Sequence, residues 1–179
     1  MGYFATFWDW VFATMISAPR ISVKADRTMR MRKEFEGLRK SHVVIGVPEK
    51  TATLGREAGE SNAVLANIHE NGSPARNIPP RPFLRPSLEN KKKDLGVFLK
   101  ARAQRVLDGA ENAEACYTAV GLYAQSIVKA YLRESGNFTP LKAATLARRK
   151  KKGFLGEKPL IETGQLLNSI NFDVRGVNG

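Results

Sequence analysis

Periodicity and punctuation predict an α+β fold: a small antiparallel sheet packed against two long amphipathic helices, with an aromatic helix at the N-terminus and a proline-rich extended arm. Three observations carry this reading. Two long runs place apolar residues at helical spacing: Leu88, Leu95, Phe98, Leu99 and Val106, then Ala113, Cys116, Tyr117, Val120, Ala124, Ile127, Val128 and Tyr131. Two short runs alternate instead, Val43, Ile45 and Val47 near the start and Ile170, Phe172 and Val174 near the end. Between them, Pro79, Pro80, Pro82 and Pro86 interrupt any regular element. Proline fixes φ and lacks an N–H, so this stretch cannot sit inside a sheet.

The elements follow in order. Phe4, Trp8, Val11, Phe12 and Met15 share one face of a helix that Pro19 ends. That face must be covered by its own domain, by a groove on a neighbouring subunit, or by a membrane surface. Its polar side has no Lys or Arg, which disfavours the membrane. Residues 20–24 alternate and predict a short strand. Asp26 is positioned to cap a basic helix to about Arg39, with Met29, Phe35 and Leu38 as its apolar contacts. Residues 42–47 are the clearest strand, and 49–61 predict an exposed loop. Ser61 should cap a helix from Asn62 to Asn71 that stops at Gly72.

The proline arm follows a Ser73-Pro74 turn. The first long helix carries Lys91, Lys92, Lys93, Lys100, Arg102 and Arg105 on its outer face. Gly109 separates it from the second, and residues 135–138 form a turn. Thr139 with Pro140 predicts the start of a further helix, ending in Arg148, Arg149, Lys150, Lys151 and Lys152. Thr163 opens a last short helix before the final strand. This organisation gives an N-terminal aromatic segment at 1–19, one domain at 20–174 and a loose tail at 175–179.

Composition bounds the function. The net charge is +12 at pH 7 and 42% of residues are hydrophobic. A globular core is affordable, and the charge favours anionic partners: DNA, acidic protein surfaces or anionic lipid. The single Cys116 falls on an apolar helix face and excludes a disulfide framework within the chain. No stretch has the ~18 apolar residues that a membrane span requires. His42 and His69 lie in different elements without metal-ligand spacing, and His69-Glu70 lacks the second histidine of a His-Glu-x-x-His helix. No phosphate loop or nucleophile elbow is present. The sequence therefore nominates no catalytic residue, no metal site and no cofactor. His69 is expected to satisfy a polar edge of its helix.

The arm carries two apolar anchors, Phe83 and Leu84, between two cations, Arg81 and Arg85. That suits a chain laid across another surface, and Pro79 to Pro82 is also a formal Pro-x-x-Pro. The order of a helix with His69-Glu-x-Gly72, a turn, Pro79-Pro80-Arg81-Pro82-Phe83-Leu84-Arg85-Pro86 and a long helix resembles the head–tail joining and tail-completion proteins of tailed bacteriophages, including the minor tail protein Z type. A second block, Thr139-Pro140-Leu141 and then Lys158-Pro159-Leu160-Ile161-Glu162-Thr163-Gly164-Gln165-Leu166-Leu167-Asn168-Ser169-Ile170, resembles the segment that closes that domain. The two blocks cover roughly residues 42–174.

The resemblance implies a structural virion protein in a sixfold or twelvefold ring of its own copies, at the neck or the head-proximal end of the tail. It implies neighbouring neck, connector or tail-tube proteins, proximity to packaged DNA, and assembly in the cytoplasm of the host bacterium, without a membrane. Phe4, Trp8, Phe12, Pro80, Arg81, Phe83, Leu84 and Arg85 are then the expected subunit or partner interface. Arg148, Arg149, Lys150, Lys151 and Lys152 are the expected contact with an anionic partner. The competing reading is a basic module whose helices grip DNA phosphates.

Overall fold

A computed structural model describes residues 22–48, 60–161 and 163–176. The chain divides into two compact units, residues 1–33 and 34–179. Of the first, the described part is the start of helix α1, Ser22–Lys40, with Arg27 to Lys33 exposed. The second unit begins within the same helix and continues through β1 (His42–Gly46), α2 (Asn62–Asn71), α3 (Leu84–Asn90), α4 (Lys92–Leu107), α5 (Ala113–Arg133), α6 (Ala143–Lys151), α7 (Gln165–Ser169) and β2 (Asn171–Arg175). Short 3-10 turns lie at Pro74–Arg76 and Ser135–Asn137. The fold is α+β, with a two-stranded antiparallel sheet packed on helices.

Helix α5 is the spine of the second unit. It touches α3, α4 and both strands. Its N-terminus is capped twice: Asn112 Oδ1 accepts from Ala115 N–H at 2.8 Å, and Glu34 Oε2 accepts from Ala113 N–H at 2.9 Å. Tyr117 Oη donates to the Leu38 carbonyl at 2.6 Å, which ties the end of α1 to the same helix. Cys116, Ala124, Val128 and Leu132 are buried along its inner face. Burial, and then the nearby Glu111, push the Cys116 thiol up, so it stays protonated filler. The core joins Phe83, Val128, Leu132, Phe138, Leu166 and Ile170, with Ile45, Val47 and Leu88 packed on its margin.

The sheet pairs His42 with Arg175, Val43 with Val174, Val44 with Asp173, Ile45 with Phe172 and Gly46 with Asn171. It lies on α5 where Gly121 leaves a gap for the Phe172 ring. A Cβ on Gly121 would overlap Cδ2, Cε2 and Cγ of that ring. Gln125 Nε2 reaches the Ile170 carbonyl at 2.8 Å and fixes the entry to β2. At the far end, Gly176 has φ 91, and a Cβ there would strike the Lys40 carbonyl.

Several expectations need correction. The strand at 20–24 is absent over its described part, because Ser22, Val23 and Lys24 are helical and Asp26 lies inside α1. Among the described residues β1 pairs with β2 alone, so no ladder is available to hold an isolated short strand there. Met29 and Phe35 are exposed at 66% and 54%, not apolar contacts. The first long helix is two helices, which meet at Lys91. Its carbonyl accepts from Leu95 N–H at 2.9 Å, while its ammonium pairs with Asp94 at 3.0 Å. Thr139 and Pro140 do not start a helix. Phe138 is buried edge-on to Tyr131 at 5.7 Å, which holds the following chain extended until Ala143. The aromatic segment at 1–19, most of the loop at 49–61 and the end of the tail fall outside the described residues.

The contact between Gly121 and Phe172 yields a direct test. Gly121→Ala should lower the free energy of unfolding by about 1–3 kcal/mol through overpacking. Adding Phe172→Leu should return part of that loss, as read by urea denaturation. An unchanged midpoint for Gly121→Ala would show that the helix and strand are not closely packed there.

Candidate functional site: a clamped corner and a cationic cavity

The proline arm is not free. Helix α2 starts at Ser61, whose hydroxyl accepts from Val64 N–H at 3.2 Å, and stops at Gly72 with φ 78. Gly72 is required twice: the left-handed φ suits glycine, and a Cβ would crowd Pro80 at 3.0 Å. Ser73 pairs with Ile78 across a turn that Asn77 closes in the left-handed region. Arg81 N–H then returns to the His69 carbonyl at 2.7 Å. The arm therefore folds back along the helix it follows.

Glu70 completes the corner. Its Oε2 accepts from Phe83 N–H and Leu84 N–H, each at 2.9 Å, and its Oε1 accepts from Arg85 N–H at 3.0 Å. These three groups open helix α3, where Phe83 as N-cap offers no capping side chain of its own. A carboxylate at this end also suits the helix dipole. The consequence for the expected interface is large. Phe83 is 2% exposed in the core, and Leu84 is packed on it. These two anchors bind their own domain, and Phe83 has no surface left for a partner. Replacing them would strike the fold. Pro80, Pro82 and Arg85 are exposed, and Arg81 is half-buried. Phe4, Trp8 and Phe12 lie outside the described residues.

The basic run also divides. Arg149 is 5% exposed, and its Nη1 donates to the carbonyls of Lys158 at 2.9 Å, Gly156 at 3.1 Å and Ile161 at 3.4 Å. It holds the loop in which Leu160 takes φ 62, a conformation costly for a branched side chain, while Leu160 packs against the core. Arg149 is thus an internal strut and is withdrawn from the anionic contact expected of it. Arg148, Lys150, Lys151 and Lys152 remain exposed.

A cavity of about 550 Å³ lies beside Arg149. Leu65 and His69 of α2, Pro79 and Arg81 of the arm, Lys142, Thr145 and Arg148 at α6, and Leu160, Thr163, Gly164, Gln165 and Leu166 of the closing block line it. No acidic side chain stands among its described lining residues. Burial, and then the Arg81 charge, lower the His69 pKa, so its imidazole is neutral at pH 7. His69 Nδ1 and Arg81 Nε are buried without a hydrogen-bond partner. The polar-edge expectation for His69 holds only in its backbone, whose carbonyl takes the Arg81 N–H. The sequence named Arg81, Arg148 and Arg149 but not the cavity they share. It also missed Glu70 as the clamp, although His69-Glu70 stood in the motif. Among the described residues no group of His, Cys, Asp and Glu could hold a metal ion, and no helix is long and apolar enough to cross a membrane.

Comparison with known proteins adds a partial likeness. The chain is 51% identical over 46 residues to an uncharacterized protein of Methanocaldococcus jannaschii. The matched stretch is 26% of this chain and 34% of that protein, so the chain spans about a third of that relative. No family model matches the chain. No solved structure matches it.

Two substitutions separate strut from surface. Glu70→Ala should cost roughly 2 kcal/mol of stability, because three N–H groups lose their acceptor, with Glu70→Gln falling between. Urea denaturation and amide exchange at Leu84 and Arg85 read this out, and wild-type values for Glu70→Ala would dismiss the clamp. Arg149→Ala should cost about 2–3 kcal/mol, or on the order of 6 °C in melting temperature. Exchanging Lys150, Lys151 and Lys152 for Gln should leave the melting temperature level or raise it, since adjacent like charges repel.

Proposed function

We propose that this chain is a structural assembly protein: a subunit of a ring at the neck or head-proximal end of the tail of a tailed bacteriophage, built into the virion in the host cytoplasm. The observation that supports this above others is the convergence of the two blocks that carry the resemblance. The His69-to-Pro86 corner and the Lys158-to-Ile170 segment are far apart in sequence, yet they line one cavity and share one core through Phe83, Leu166 and Ile170. Each block is held by its own charged strut, Glu70 and Arg149. Such a rigid wedge, with Pro80, Pro82 and Arg85 outward, suits repeated contact with copies of itself and with neck, connector or tail-tube neighbours. No step of chemistry is assigned to it.

The reading as a DNA-gripping module has less support. On α4, Arg102 pairs with Glu111 at 2.7 Å and Arg105 with the same carboxylate at 3.5 Å, which diverts two of the cations that a phosphate track would use. The exposed Lys150 to Lys152 suit docking on an acidic neighbour, where charge speeds and orients encounter.

Purified full-length chain examined by sedimentation and electron microscopy should form closed rings of one size as concentration rises, and should not retain duplex DNA at about 150 mM salt. A monomer at every concentration, with DNA binding that falls steeply with salt, would overturn the assembly reading in favour of the DNA module.

A further inference from the structure

We propose that the cavity between the arm and the closing block is a receptor for a carboxylate presented on an apolar peptide segment of a protein partner. The identity of that partner rests on the assembly reading; the carboxylate site does not.

Size and wall chemistry lead to this class of ligand. About 550 Å³ is far more than one ion fills and accommodates several side chains. Leu65, Ile78, Leu160 and Leu166 give the walls apolar surface, while Arg81, Lys142 and Arg148 bring positive charge with no acidic counterpart among the described lining residues. The unpartnered atoms set the polar chemistry. Arg81 Nε–H can only donate. Neutral His69 donates equally when its proton is on Nδ1. Both atoms are closed to solvent in the free chain, so a carboxylate accepts from them only after the Arg81 and His69 side chains shift toward the cavity, where water then competes weakly. Arg81 is fixed for this role by its own backbone bond to His69.

A DNA strand fits less well. Its phosphates are evenly spaced on a continuous chain and call for an exposed track, whereas this cavity is recessed and partly apolar. The exposed Lys150, Lys151 and Lys152 are not among its lining residues.

Binding should take up a proton. In the free protein His69 is depressed by burial and by Arg81. The other cations lining the cavity are Lys142, Arg148 and Arg149 from α6 and its lead-in. Glu70, on the same helix as His69, is engaged with the start of α3. An arriving carboxylate favours the imidazolium and raises the His69 pKa in the complex. Affinity therefore rises as pH falls through the His69 pKa of the complex and levels off below that of the free protein.

The test uses full-length protein, calorimetry and the imidazole NMR signals of His69. The probes are a blocked Leu-Glu-Leu peptide, its Leu-Gln-Leu counterpart, inorganic phosphate and a short DNA duplex. The Glu peptide should bind at least about tenfold more tightly than the Gln peptide, shift the His69 signals, and bind more tightly at pH 5.5 than at 7.5. Arg81→Gln should weaken it about tenfold. Should Arg81→Gln fail to fold, the exposed Arg148→Gln and Lys142→Gln decide the matter, each expected to weaken binding a few-fold. Equal binding of the two peptides, no binding at millimolar concentration, or insensitivity to these substitutions overturns the proposal. So does phosphate or DNA binding as tightly as the Glu peptide. Ring formation without peptide binding would sink this inference alone; peptide binding by a chain that never assembles would sink only the assembly reading.

Discussion

Three backbone N–H groups converge on the Glu70 carboxylate, and much of the domain's geometry follows from that convergence. Helix α3 lacks a cap of its own, because the Phe83 side chain at its N-cap has no acceptor for the first N–H groups. Glu70 answers them from the preceding helix. The angle between α2 and α3 is thereby set, Phe83 is aimed inward, and α3 lies against α5. Loss of this single contact would release the entry to α3.

Arg149 acts in the complementary sense. One guanidinium nitrogen collects three carbonyls from a loop with no regular structure. A buried cation is tolerated when its donors are used, and here they hold Leu160 in a conformation it would otherwise leave. An acid gathers donors at the start of α3, and a cation gathers acceptors in the loop after α6. The net charge of +12 is therefore not uniformly a surface property. Arg149 is internal, Arg102 and Arg105 share Glu111, and the freely exposed cations are concentrated elsewhere.

What the sequence revealed depended on whether the deciding interaction was local. Helix α5, strand β1, the Ser61 cap and the Gly72 stop were legible because spacing and capping act within a few residues. The strand pair followed from alternation at Val43, Ile45, Phe172 and Val174. Thr139-Pro140 misled because the burial of Phe138 against Tyr131 overrides a good local start signal. Phe83 was read as an outward anchor because burial by a distant carboxylate's hold on its backbone leaves no pattern in the arm itself. Arg149 was indistinguishable from its four basic neighbours, since only the loop after α6 decides which cation turns inward. The cavity was invisible for the same reason: its residues come from segments brought together only by the fold.

The sheet has a consequence for the order of events during folding. Strand β1 has no partner among the described residues except β2, and every helix from α2 to α7 lies between them in the chain. Helices α4 and α5 are neighbours and can meet early, at little cost in loop closure. The pairing of Val43 with Val174 must wait until the intervening chain has been gathered. Until then Val43 and Ile45 face water with both edges of their strand open, so the half-folded chain carries a sticky border, one side of which the pairing with β2 covers.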